Sequence, residues 1–110
     1  MNSEAVLMRI YIGEFDKYEG KPLYKKIVEV LKENKIAGAT VLRGILGFGK
    51  SSVIHAASIL DLSEDLPIVI EVIDSEEKIE KVIPIIEKYV KNGLITLEKV
   101  KVIKYTAKGE

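Results

Sequence analysis

The stretch Gly44-Ile-Leu-Gly-Phe-Gly49-Lys50-Ser51 fits the pattern G-x-x-x-x-G-K-[ST] at every position. Glycines let backbone N–H groups approach an anion, a lysine adds a cation, and a hydroxyl can meet magnesium. Asp74, at the end of Ile68-Val-Ile-Glu-Val-Ile-Asp74, stands where a second acidic motif would be wanted. A nucleotide-hydrolysing loop also needs a parallel sheet, with a strand before the loop and a long helix after it. The stretch from Ser51 to Asp65 is too short and too weakly periodic for that helix. The pattern therefore reads as an anion-binding loop outside that fold, with Phe48 placed to cover a base or an apolar patch.

The other reactive side chains are sparse. His55 is the single imidazole and reads as a solvated loop residue. Glu14, Asp16 and Glu19 are close in sequence and can attract magnesium, though a solvated acidic loop explains them as well. Tyr11 reads as a packing residue, and the Ser51-Ser52 pair carries no further signal. There is no cysteine, which excludes a disulfide framework, a thiolate zinc site and a thiol nucleophile. No nucleophile–base pair is visible, so the chain reads as a non-enzyme.

Several elements must position the glycine loop. The 110 residues are 47% hydrophobic and 31% charged, which suits one globular domain over residues 1–110. Seventeen basic against 17 acidic residues leave no net charge, which argues against a general nucleic-acid coat. No apolar run is long enough to span a membrane, and residues 1–10 lack a secretory pattern, so a cytoplasmic protein is expected.

Ala5–Ile12 alternates as a strand, with Val6, Met8, Ile10 and Ile12 on one face. Pro22 to about Asn34 has helical spacing at Leu23, Ile27, Val30 and Leu31, with Gly38 as a stop. Strands are expected over Ala39–Leu46 and Leu66–Ile73. A second helix, capped by Asp74 or Ser75 and kinked at Pro84, should end at Asn92-Gly93. A last strand covers Leu94–Tyr105.

The order β-α-β-β-α-β predicts an α+β ferredoxin-like sandwich, an antiparallel sheet with two helices on one face. Its other face should carry Leu7, Tyr11, Leu42 or Ile45, Val69, Ile73, Leu97 and Ile103, mixed with Arg9, Glu71, Lys99 and Lys101. Arg9 and Glu71 lie on neighbouring strands and can pair. So large an apolar face predicts sheet-to-sheet oligomerisation. The nineteen residues from Gly47 to Asp65 are long for an inter-strand connection, and Val53, Ile54, Ile59, Leu60 and Leu62 give them docking character. RNA-binding modules share this element order, but their third strand carries stacking aromatics and Leu66–Ile73 has none.

Two stretches carry a family resemblance: Gly38-Ala-Thr40-Val41 and Gly47-Phe48-Gly49-Lys50. With the long loop between the middle strands, they resemble the second strand and loop entrance of PII signalling proteins. Tyr11-Ile-Gly-Glu14, Ile36–Gly49 and Asp65–Glu71 are similar to a short prokaryotic PII-like group. The resemblance implies a homotrimer with its sheets facing inward and an adenine nucleotide (AMP, ADP or ATP, magnesium possible) in the cleft between subunits. Carried over by position, Thr40 would lie near the base or ribose. Gly47, Phe48 and Gly49 would offer backbone contacts, and Lys50 would approach the phosphates. Lys99 and Lys101 would reach the phosphates from the adjacent subunit, with Arg43 a further candidate. The 47–65 loop would signal to a partner protein, and relatives point to a membrane transporter or channel. In this sequence Lys91-Asn-Gly-Leu94 is shorter than the family's phosphate-cradling segment, and lysines stand where arginines are usual. Two other readings stay open: an assembly trimer that binds no nucleotide, and a small phosphate-handling enzyme.

Overall fold

A computed structural model describes residues 4–49, 53–57 and 64–107. The chain begins with strand β1 (Glu4–Gly13), whose alternation buries Val6, Met8, Ile10 and Ile12 on one face. A short hairpin follows, β2 (Lys17–Tyr18) and β3 (Lys21–Pro22). Its two turn residues, Glu19 and Gly20, both have positive φ (49° and 82°), the geometry of a two-residue type I′ connection. Helix α1 (Leu23–Glu33) then presents Leu23, Ile27, Val30 and Leu31 to the core. Pro22 is the N-cap of α1 and lies one residue outside it. The helix ends as the sequence expects, with Asn34 as its C-cap: Lys35 takes a left-handed φ of 61°, and the Ile36 N–H returns to the Leu31 carbonyl at 3.2 Å.

Strand β4 (Ala39–Arg43) is followed by a second hairpin, β5 (Leu46–Gly47) with β6 (His55–Ala56). Strand β7 (Pro67–Asp74), helix α2 (Glu76–Glu87) and strand β8 (Leu94–Lys101) complete the domain. Ser75 caps α2, its hydroxyl accepting from the Lys78 N–H at 3.3 Å. Pro84 sits inside α2 without ending it; its missing N–H would have met the carbonyl of Glu80, an exposed residue.

The main sheet runs β4-β7-β1-β8, with every pairing antiparallel. This is the ferredoxin-like order expected from the sequence. The core lies between the sheet and the two helices, where Met8, Ile10, Ile70 and Val72 meet Ile27, Leu31, Ile79 and Ile86. Asp74 is the buried charged group among the described residues, 4% exposed, and it accepts from the Ala37 N–H at 2.8 Å and the Ser75 N–H at 2.6 Å. It joins the turn before β4 to the start of α2.

Three sequence expectations are corrected. The second strand does not reach Leu46 but leaves the sheet at Arg43. There the Gly44 N–H takes the Pro67 carbonyl at 2.7 Å, and Leu46 and Gly47 pair with β6 instead. The last strand stops at Lys101 and not at Tyr105. Its phase is also opposite to the expected one. Leu97 pairs with Met8, Lys99 with Val6 and Lys101 with Glu4, so all three stand on the helix side of the sheet. The face away from the helices instead receives Leu94, Thr96, Glu98 and Val100 from β8; Ala5 and Leu7 on it are buried, and beyond β8 the Tyr105 hydroxyl donates to the Ala37 carbonyl, just before β4, at 2.7 Å. Beside them lie Leu7, Arg9 and Tyr11 from β1, Val69, Glu71 and Ile73 from β7, and Thr40 and Leu42 from β4.

Candidate functional site

The glycine loop is built on Pro67. A Cβ at Gly44 would lie 2.7 Å from Pro67 Cγ, and one at Gly47 would lie 3.2 Å from it. These two glycines let β5 turn away from the sheet while packing close to β7. Gly49 has nothing within 4 Å of its missing Cβ, so the space beside its backbone is open. Phe48 is 70% exposed. Lys50, Ser51, Ser52, Ile59, Leu60 and Leu62 lie outside the described residues. Among the described residues no parallel strand and no helix flank this loop: β4 runs antiparallel to β7, and β6 follows. The strand arrangement is therefore not that of a nucleotide-hydrolysing loop.

The hairpin base is closed by side chains as well. His55, expected as a solvated residue, is half-buried, with Nδ1 2.7 Å from Glu64 Oε1. Asp65 accepts from the Phe15 N–H at 2.8 Å, which ties the end of the loop to the first connection. In that connection Asp16 accepts from the Gly13 N–H at 2.9 Å, and Glu14 holds Arg43 at 2.6 Å. Glu14 and Asp16, read from sequence as able to attract magnesium, thus have protein partners. Among the described residues no group of three or more His, Asp or Glu is arranged for a metal.

Thr40 and Arg43 leave β4 on opposite sides. Thr40 lies on the face away from the helices, directly across from Glu71. Glu71 is a neighbour that sequence reasoning assigns only to Arg9. Arg9 donates from Nε to Glu71 Oε2 at 3.1 Å and from Nη1 to Glu98 Oε1 at 2.9 Å. The Glu98 bond, then the Glu71 bond, hold the guanidinium above its usual pKa. A charged ladder Glu71–Arg9–Glu98 thus crosses three strands in the middle of the apolar face. The missing signal for Glu98 is the phase of β8, which its mixed composition does not set.

Lys99 and Lys101 stand at the other edge of the sheet. They line a cavity of about 600 Å³ with Glu4, Val6, Ser75 and Glu76, beside the start of α2. Between β4 and β8 are three inter-strand steps, roughly 14 Å. The structure therefore does not bring the lysines together with Thr40 or Gly49 within one chain.

The family model DUF190 ("Uncharacterized ACR, COG1993") matches residues 5–102. A UPF0166 protein of Aquifex aeolicus is 47% identical over 97 residues, 88% of this chain and 91% of the relative. A UPF0166 protein of Methanocaldococcus jannaschii is 43% identical over 95 residues, 86% of this chain and 87% of the relative. Among solved structures, a protein of Thermus thermophilus described as PII-like and signalling superposes with a TM-score of 0.68 at 20% identity, covering 94% of both chains. CPII of Thiomonas intermedia, a nitrogen regulatory PII-like protein bound to ADP, AMP and bicarbonate, also gives 0.68, at 15% identity, covering 92% of this chain and 90% of its own. At those identities the likeness is one of fold. The match over nearly the whole length, with relatives above 40% identity, places the chain in the DUF190 family, and its fold is similar to that of the PII-like proteins.

Proposed function

We propose that this chain is a non-enzymatic, cytoplasmic PII-like regulator. It binds an adenine nucleotide (AMP, ADP or ATP, with or without magnesium) in clefts between the subunits of a homotrimer. It signals to a partner protein, a membrane transporter or channel, through the 47–65 loop. The observation that carries this reading is the division of the candidate residues between two sheet edges. Thr40 and the Gly47-Phe48-Gly49 entrance are at the β4 edge, and Lys99 and Lys101 at the β8 edge. A neighbouring copy that sets its β8 edge beside β4 brings both halves onto one ligand. Arg43 then shares the entrance once it leaves Glu14, and Lys50 extends the cationic side. Leu42, Ile73 and Leu94, exposed on the face away from the helices, support burial between copies, and ADP and AMP in CPII support the ligand class.

Nucleotide at the entrance favours one conformation of the loop, and the partner reads that population. The test is calorimetric titration with AMP, ADP and ATP, with and without magnesium, and light scattering on the same sample. Saturable binding near one nucleotide per chain on a trimer is expected. Gly49→Val fills space that is open in the free chain. It should leave assembly intact and weaken binding about tenfold or more by blocking backbone approach. Unchanged affinity in that variant would remove Gly49 from the site, and no binding at millimolar nucleotide would favour the assembly trimer.

A further inference from the structure

We infer that the outward side of the β5–β6 hairpin is a docking face for a protein that offers an uncharged apolar cleft. This rests on the reading of the 47–65 loop as the output segment and names the chemistry of its partner. Leu46 pairs with Ala56 and Gly47 with His55, so their side chains leave the hairpin in two sets on opposite sides. The Gly47–His55 side faces the body of the domain: Gly47 packs at Pro67, and His55 is clasped by Glu64. The Leu46–Ala56 side faces away from it. Phe48 and Ile54 are the next positions of the same parity, and Leu46, Phe48 and Ile54 are 64%, 70% and 65% exposed. Among the described residues this side carries no charge and no hydrogen-bonding side chain.

Charge decides between a protein and a lipid surface. Across residues 44–65 the sequence holds one basic residue, Lys50, against Asp61, Glu64 and Asp65, and Arg43 at the root is held by Glu14. An anionic bilayer attracts basic flanks, so an acidic root disfavours it. An uncharged cleft complements the hairpin without stranding a buried charge. The three large side chains offer on the order of 400 Å² of apolar surface, about half of what one partner contributes to a standard interface. One hairpin alone therefore makes a weak contact, and repetition in an oligomer strengthens it.

The experiment places a photo-crosslinking amino acid at position 54 of the full chain in cell extract. The captured protein is then made pure and its affinity is measured for the unmodified chain, Leu46→Ser, Ile54→Ser and Ile45→Ser. Ile45 is the control, since it is 76% exposed but lies at the bend before β5. Leu46→Ser and Ile54→Ser should each lose about tenfold or more in affinity, and Ile45→Ser should stay within twofold. Vesicles of phosphatidylglycerol and phosphatidylethanolamine should not sediment the chain. Several results would overturn the inference: no adduct, adducts only to another copy of this chain, equal affinity in Ile54→Ser, or vesicle binding lost in Ile54→Ser. Nucleotide titration of Leu46→Ser and Ile54→Ser should match the unmodified chain. A flat titration in all three, with docking behaving as expected, would sink the nucleotide reading and leave the docking face standing.

Discussion

Two side-chain positions carry more of the architecture than their chemistry suggests. Asp74 can be read from sequence as a helix cap or as an acidic motif. In the structure its two oxygens satisfy the Ala37 and Ser75 amides. Asp74→Ala strips both partners at once and should cost about 1–3 kcal/mol, read from the urea midpoint at unchanged slope. Gly93 is tighter still. A Cβ there would lie 2.5 Å from the Tyr11 carbonyl oxygen and 2.9 Å from Val90 Cγ1. Backbone cannot yield as a flexible side chain can, so Gly93→Ala should cost on the order of 2–4 kcal/mol in the same measurement. An Asn-Gly pair after a helix announces a turn in sequence, but not that β1 passes directly behind it.

At the scale of elements, β1 and β7 hold the centre of the sheet and both pair along their length. Among the described residues the β5–β6 hairpin has two paired positions and mostly exposed side chains. Hydrogen exchange should therefore be slowest for Met8, Ile10, Ile70 and Val72 and fast for residues 45–49 and 53–56. An outcome with both regions equally protected would mean that the hairpin is packed in solution. The elements are legible where one face is buried. Val6-Met8-Ile10-Ile12 and Leu23-Ile27-Val30-Leu31 each carry an unambiguous period. The phase of β8 is not legible, because an edge strand carries mixed residues on both faces. Ile95 packs on the core while Leu97, Lys99 and Lys101 continue the same side in exposed positions. The break of the second strand at Gly44 is hidden as well, since Ile45 and Leu46 continue its apolar character. What stops it is contact with Pro67, a residue distant in sequence. The candidate site is legible as a set of residues, while the separation of its halves by the width of the sheet needs the strand order.

For the whole molecule, the ladder Glu71–Arg9–Glu98 sits where the proposed trimer would bury it. Arg9→Met leaves two carboxylates without their cation and should shift light scattering from trimer toward monomer. Removing all three charges, Arg9→Met with Glu71→Leu and Glu98→Leu, should restore assembly, since a matched apolar patch needs no counter-charge. Because the folded pKa of Arg9 is raised, its contribution is present below the ordinary guanidinium pKa and lost only above it. Assembly should not vary through Arg9 across the neutral range. The hairpin also has a colloidal consequence. Among the described residues it is a two-stranded sheet whose outer edges pair with no further strand, with an uncharged apolar side, on a chain with no net charge at pH 7 and a pI near 6.6. Edges of this kind template further strands, and a neutral molecule has no long-range repulsion to keep copies apart. Concentrated samples should cloud soonest near the isoelectric point, and Ile54→Lys should keep them clear.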